Sequence, residues 1–263
     1  VSAPAWFDTQ EYAGFNSDLD AGVPYGKEIN FIGPQYQFRR NLPWLDDDNP
    51  GFGASWTDEA GKVFAGNTFD YCGIHGKALM AAGYSFHSSS VASFSADMSL
   101  AAKDKAIDII CGKQITTVIG TGKVLDRFQV FPTELQKAIT DYTSNGGNVL
   151  ISGANIGTDV WDEIYVKKDS AYRATTKAFI EKTLGYKWLT NYASRSATVC
   201  PKGNEMLSLE AKEITFQKDR NPVIYNVETP DGIVPSCDKA KSFLIYSDTN
   251  ISAGTCFEGN GYR

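Results

Sequence analysis

The chain has no run of basic residues and no long apolar stretch. Its 263 residues include 25 Lys and Arg against 31 Asp and Glu, which gives a formal charge of −6. This balance argues against a nucleic-acid-binding surface or an anionic-membrane surface. The apolar stretches are too short for membrane insertion. The remaining composition is globular, with 42% hydrophobic residues, enough for a substantial core.

Cysteine and histidine are both scarce. The cysteines are widely spaced and form no CxxC pair, which disfavours structural zinc. Mostly buried free thiols are favoured over the alternative of one disulfide among the last three cysteines. The two histidines are His75 and His87, so none is available after residue 87 for a His-dependent reaction. The cysteines are Cys72, Cys111, Cys200, Cys237 and Cys256.

Helices and short buried strands alternate in the middle of the chain. Apolar spacing predicts helices over 70–82, 103–110, 133–144 and 171–184, and strands over 84–91, 116–119 and 148–152. This alternation indicates a doubly wound, mostly parallel sheet, in which strand 148–152 is covered on both faces. From residue 186 onward, short strands and turns such as Pro-Asp-Gly at 230–232 predict antiparallel hairpins.

We therefore expect one α/β domain over 1–263. It comprises a loop-rich N-terminal segment (1–65), a doubly wound core (66–185) and a β-rich extension (186–263). Both ends have the character of a segment taken from a longer polypeptide, so the missing signal peptide says nothing about location.

The strand–turn–helix at 152–159 is the first candidate site. In open α/β sheets such a turn presents a nucleophile or binds an anion. Here the apex holds Asn155 between Gly153 and Gly157, and an amide binds or positions a ligand but does not attack. Gly153, Asn155 and Asp159 are candidate ligand-binding residues. The alternative is a tight turn with a polar cap and no ligand.

Cys72 and His75 form the second candidate site, one helical turn apart. Residues at i and i+3 share a helix face, so a thiolate–imidazole pair is one interpretation. A buried cysteine beside a hydrogen-bonded histidine is the commoner arrangement and the favoured alternative.

The third candidate is the acidic loop that contains Trp44 and three consecutive carboxylates. Asp46, Asp47 and Asp48 could hold Ca²⁺, but their spacing is not that of an EF-hand and a solvated loop is favoured. No cofactor and no metal site are therefore predicted, with Ca²⁺ at these acids as the alternative. Trp44 and Asp47 are candidate contacts for a sugar ring.

Three runs resemble a recurring domain of secreted Bacteroidota proteins that are labelled xanthan lyase or N-acetylmuramoyl-L-alanine amidase and often carry fibronectin type III repeats. The runs are NLPWLDDDNPGFGASW (41–56), GNTFDYCGIHGKALMAAGYSF (66–86) and GGNVLISGANIGTD (146–159). The middle of the chain also resembles class I glutamine amidotransferase-like domains, whose nucleophilic cysteine occupies a Gly-x-Cys-x-Gly elbow. Asn155 stands in that position here, and no downstream histidine completes the family's dyad.

The resemblance implies a flavodoxin-like three-layer sandwich and a secreted, periplasmic or cell-surface location, beside neighbouring domains of the same polypeptide. It also implies a first strand just before Val1. The leading hypothesis is a non-catalytic or degenerate domain, a pseudoenzyme that binds carbohydrate or a peptidoglycan-derived ligand. One alternative is a glycan- or cell-wall-acting hydrolase or lyase in which Asp47 or Asp48, His75 and Asp159 are the catalytic candidates. The other is a structural spacer.

Overall fold

The computed structural model describes residues 2–3, 71–112, 117–121, 124–163, 170–204, 209–216, 227 and 229–263. The acidic loop, with Trp44, Asp46, Asp47 and Asp48, lies outside these ranges, as does nearly all of the loop-rich segment 1–65. The predictions made for that loop therefore stay predictions.

A small parallel sheet forms from segments that are far apart in the sequence. Its strands are, in spatial order, β2 (Ser89–Ser90), β1 (Ser2–Ala3), β3 (Ala106–Gly112) and β6 (Asn148–Gly153). Each pair of neighbours runs parallel. Ser2–Ala3 thus supplies a strand to this sheet, and the strand that the resemblance implies just before Val1 stays a prediction.

The helix predicted over 103–110 is wrong, because Ala106–Gly112 is strand β3. Ile107 and Ile110 have helical spacing, yet the strand pairs with β1 on one side and with β6 on the other. Backbone pairing on both edges outweighs a weak local helical pattern in a segment rich in β-branched residues. The strand predicted over 84–91 is also too long, since only Ser89–Ser90 is strand and Val91 begins a helix.

The other predicted helices agree with the structure. The helix at Thr133–Ser144 has the predicted bounds. The helix at Ser170–Phe179 passes into a π-helical turn that is capped by Gly185, whose φ of 77° is left-handed. The helices are α1 (Tyr71–Ala81), α2 (Val91–Ala96), α3 (Thr133–Ser144), α4 (Thr158–Trp161) and α5 (Ser170–Phe179), with a 3₁₀ turn at Met98–Ala101 and the π-helical turn at Ile180–Leu184.

Successive side chains of strand β3 point to opposite faces of the sheet, so alternate residues have different surroundings. Ile107, Ile109 and Cys111 enter the main hydrophobic core together with residues of α2, α3 and α5. Asp108 points the other way and meets His75 of α1. Strand β6 is less covered than predicted, because Leu150 is 57% exposed.

The described strands of the C-terminal third pair in antiparallel fashion, as predicted. Strands β7 (Tyr186–Thr190) and β10 (Gly232–Pro235) pair with each other. A second sheet has the order β12 (Ser252–Phe257), β11 (Ala240–Tyr246), β8 (Thr198–Pro201), β9 (Ile214–Thr215). A separate hairpin joins β4 (Thr117–Thr121) to β5 (Val124–Phe128).

A mixed α/β fold with small parallel and antiparallel sheets is therefore confirmed. The Pro-Asp-Gly turn at 230–232 leads into β10, which pairs with the distant strand β7. Most of the segment before this turn lies outside the described residues, so the hairpin predicted there stays a prediction. None of the helices in the described ranges is long and apolar enough to cross a membrane.

Candidate functional site: the turn after strand β6

The turn at 153–157 is fixed from both sides by backbone hydrogen bonds. The Ala154 N–H donates to the carbonyl of Gly112 at the end of β3, at 2.8 Å. The Ala154 carbonyl accepts from the Asp231 N–H at 2.9 Å. The turn therefore joins the parallel sheet to the segment that enters β10.

Both glycines of the turn are required by close packing. A Cβ at Gly153 would lie 2.7 Å from the Cβ of Cys111, and a Cβ at Gly157 would lie 2.5 Å from Cδ1 of Trp188. Neither glycine is among the described residues with positive φ, and Asn155 is not among them either. The turn thus lacks the backbone strain of a nucleophile elbow.

Asn155 and Asp159 both lie inside the protein. Asn155 is only 9% exposed, and Asp159 is fully buried. The Asp159 carboxylate accepts the Val130 N–H at 3.0 Å and the Tyr172 hydroxyl at 3.3 Å. Burial, with Asp159 as the next contribution, raises the pKa of Tyr172 well above its ordinary value, so the phenol stays a donor. Asp159 thereby connects α4 to the segment before α3 and to α5.

The central carboxylate of the turn belongs to Asp231, which in the sequence is only one residue of a predicted turn. Its Oδ2 accepts the N–H groups of Gly157 and Thr158, each at 2.7 Å. Its Oδ1 accepts the Thr158 hydroxyl and, at 3.3 Å, the indole N–H of Trp188. Asp231 thus occupies the position at the start of α4 that an anionic ligand would take.

Burial raises the pKa of Asp231 from 3.8 to about 6, although its hydrogen bonds act in the opposite direction. Asp231 is 5% exposed, so the charged form loses most of its hydration. Its place beside the turn depends on pairing between strands β7 and β10, and no local sequence signal indicates that pairing.

The thiol nearest the turn is unsuited to nucleophilic attack. Cys111, at the end of β3, contacts Gly153 and is almost fully buried. Burial, followed by the charges of Asp108 and Asp159, raises the pKa of its thiol to about 12. A thiol with such a pKa remains protonated and unreactive. The other described cysteines, Cys200, Cys237 and Cys256, are free thiols as well.

His75 belongs to α1 and pairs with Asp108, a carboxylate that no motif in the sequence marks. Its Nδ1 lies 2.6 Å from Oδ2 of Asp108, while the other oxygen of Asp108 is buried without a hydrogen-bond partner among the described residues. The imidazole is 34% exposed. His87 pairs similarly with Asp104 at 2.7 Å.

The structure therefore brings Gly153, Asn155 and Asp159 together at the turn, and it adds Asp231 and Cys111. On α1, the His75 ring pairs with Asp108, and Cys72 lies one helical turn before His75. Among the described residues, no group of three His, Cys, Asp or Glu side chains could hold a metal ion.

A cavity of about 530 Å³ extends along β6 to the turn. Its lining is mainly apolar and comes from β6, β11 and β12. The lining includes Leu150, Ile156, Leu184, Leu244 and Phe257. Gly153 and Ile156 connect this cavity to the turn.

Comparison with models of known protein families, with curated proteins and with solved structures finds no match for this chain.

Proposed function

We propose that this chain is a degenerate class I glutamine amidotransferase-like domain of a secreted cell-envelope protein. In this proposal it binds carbohydrate or a peptidoglycan-derived ligand and performs no amide chemistry at the turn after β6. The Asp231 carboxylate at the start of α4 is the observation that carries the proposal.

The occupied N–H groups favour a non-catalytic turn. An oxyanion hole needs backbone donors that are free to stabilise developing negative charge. The N–H groups of Gly157 and Thr158 already donate to Asp231. The apex residue is Asn155, and the adjacent Cys111 thiol has a pKa of about 12. A nucleophile is thus missing from this described turn, and the two N–H donors at the start of α4 are already taken by Asp231.

Strand order supports the proposed flavodoxin-like, three-layer arrangement. The parallel strands, counted without the β4–β5 hairpin, have the spatial order 2-1-3-4, which is how a flavodoxin-like sheet begins. Asp108 and Ile109 of β3 face opposite ways, toward α1 and toward the core with α3. Helices on both faces of a parallel sheet are typical of this architecture.

Charge and surface composition favour a carbohydrate over a nucleic acid. The net charge is −6, and no basic run is present in the sequence. Of the tyrosines in the described part of the chain, Tyr84 is well exposed. Aromatic rings with a polar group suit ligands that have both apolar and hydroxyl-bearing faces.

A binding screen combined with an amidase assay tests the proposal. The purified chain is applied to a glycan array and titrated with muropeptides, and glutamine and muropeptide hydrolysis are measured in parallel. We expect binding to at least one glycan or muropeptide, with no hydrolysis of an amide bond. Asn155→Ala and Trp44→Ala then report whether the turn and the acidic loop contribute. Amide hydrolysis that Asn155→Ala abolishes, or a complete absence of binding, would overturn the proposal.

The enzymatic alternative, a glycan-acting hydrolase or lyase, is favoured by one observation. His75 is partly exposed and oriented by Asp108, an arrangement that suits general acid–base catalysis. Of its proposed partners, Asp159 is fully buried and accepts two internal hydrogen bonds. Depolymerisation of any bound glycan that His75→Ala abolishes would favour this alternative. The spacer alternative predicts neither binding nor hydrolysis.

A further inference from the structure

The His75 imidazole is held in one orientation by a residue from a different element. Asp108 lies 33 positions away on β3, and its carboxylate contacts Nδ1 of His75 at 2.6 Å. A carboxylate that is hydrogen-bonded to one ring nitrogen fixes the ring orientation and determines whether the other nitrogen is a donor or an acceptor. Nε2 of His75 has no partner among the described residues, and about a third of the ring is exposed. The ring thus presents one hydrogen-bonding atom to a ligand.

Two aromatic side chains, those of Tyr84 and Phe86, lie on the segment that follows α1 and runs back along it. The chain reverses at Gly83, whose φ is 85°, and the Tyr84 N–H donates to the Leu79 carbonyl at 3.0 Å. Phe86 then packs against the α1 backbone, since a Cβ at Gly76 would lie 2.1 Å from its ring. Gly76 is the immediate neighbour of His75. The Phe86 ring therefore lies beside the segment that carries the oriented imidazole.

Both rings remain accessible to a ligand. Tyr84 is 66% exposed and Phe86 is 37% exposed. Exposed aromatic side chains that occur together often mark a binding surface, whereas single exposed apolar residues are ordinary. An aromatic face suits the C–H face of a pyranose ring, and an imidazole nitrogen suits its hydroxyl groups.

We propose that His75, Tyr84 and Phe86 form a binding surface for a neutral carbohydrate, which we call the α1 surface, and that Asp108 positions His75. The inference rests on the proposed function and places its ligand at α1 instead of at the turn after β6. A neutral ligand is favoured over a phosphorylated one because no cluster of Lys or Arg accompanies the three side chains in the sequence of α1 and its following loop.

Calorimetry with defined oligosaccharides tests the α1 surface. The full chain is titrated with neutral gluco-oligosaccharides, chito-oligosaccharides, acidic xanthan fragments and a disaccharide muropeptide. We expect binding to a neutral oligosaccharide. Tyr84→Ala and Phe86→Ala should each weaken it about five- to tenfold, since an aromatic contact contributes roughly 1 kcal/mol and 1.4 kcal/mol is tenfold. His75→Ala should weaken it about tenfold.

Tyr192 supplies the matched control. It is 68% exposed, like Tyr84, but lies between β7 and β8. Tyr192→Ala should leave the Kd unchanged. Circular dichroism of each variant shows whether its fold is retained, and Phe86→Trp, which keeps an aromatic face, should restore binding.

Asp108 is tested as a positioning residue through the histidine ring itself. Nitrogen-15 NMR of the His75 ring should show a change of tautomer in Asp108→Asn, together with about fivefold weaker binding and an unchanged circular dichroism spectrum. Unchanged ring shifts would contradict the positioning role.

The outcomes separate this inference from the proposed function. Wild-type binding that Asn155→Ala weakens, while the His75, Tyr84 and Phe86 variants bind normally, would overturn the α1 surface and retain the proposed function. Binding of acidic fragments alone would overturn the neutral-ligand assignment. A wild-type chain that binds no glycan would overturn both.

Discussion

The buried carboxylate of Asp231 predicts an unusual pH dependence of stability. Its pKa in the folded protein is about 6, above the ordinary value of 3.8, because burial disfavours the charged form. The folded state therefore binds a proton at a higher pH than the unfolded state does. The contribution of Asp231 to the free energy of unfolding therefore increases as the pH falls through about 6 and reaches its full value below 3.8. It is lost again as the pH rises.

The size of this effect follows from the two pKa values. Between about pH 7.5 and about pH 4.5, the shift from 3.8 to about 6 adds about 2 kcal/mol to the free energy of unfolding. Asp231→Asn has no titrating group at this position. The difference in stability between wild type and Asp231→Asn should consequently widen by that amount on acidification, whatever the other carboxylates do.

Urea denaturation of both proteins across this pH range is the measurement. At about pH 7.5 we expect Asp231→Asn to be roughly 2 kcal/mol less stable, since an amide replaces one of two oxygens that accept hydrogen bonds. Asp231→Ala should cost about 4 kcal/mol, because the donors at the start of α4 are left without an acceptor. A difference between wild type and Asp231→Asn that stays constant or narrows on acidification would refute the reasoning, and it would mean that the hydrogen bonds outweigh burial.

Three further predictions concern the surroundings of the turn. Gly157→Ala should lower the free energy of unfolding by about 1–3 kcal/mol, since its Cβ would lie 2.5 Å from Trp188. The loss should be smaller when Trp188 is also replaced by alanine, and thermal melts in which the losses of the two single variants simply add would contradict this contact. Cys111, with a pKa of about 12, should react with iodoacetamide only on unfolding, whereas exposed Cys237 should react in the native state; equal native rates, measured by mass spectrometry, would show that the thiol is accessible. Asp159→Ala should cost about 2–4 kcal/mol in urea denaturation because two buried donors lose their acceptor, and an unchanged midpoint would exclude that role.

Local sequence patterns predicted the elements whose ends are marked by proline or glycine. Helix α3 follows Pro132 and stops before Gly146 and Gly147, so its limits could be obtained from the sequence. The strand–turn–helix at the turn was likewise predictable, because its glycines mark where the chain must reverse. Strand β3 lies where the apolar spacing predicts a helix, because partners on both edges, together with the β-branched residues of the segment, outweigh that spacing.

The same distinction applies to the candidate residues. The sequence indicated His75, Asn155 and Asp159 as polar groups in informative positions, but not their partners. Asp108 and Asp231 are ordinary carboxylates in the sequence, and each becomes important through a contact with a residue 33 or more positions away. Contacts over such separations depend on sheet pairing and helix packing.

The sequence by itself therefore determined the mixed α/β character, the place of the turn and the absence of a cysteine or serine at its apex. Only the tertiary structure decided that the start of α4 is already occupied by Asp231, and that His75 is oriented by Asp108. Glycine positions and apolar periodicity act within a few residues along the chain, so they can be recognised locally. The environment of a carboxylate depends on which distant strand and helix surround it, and that information exists only in the folded protein.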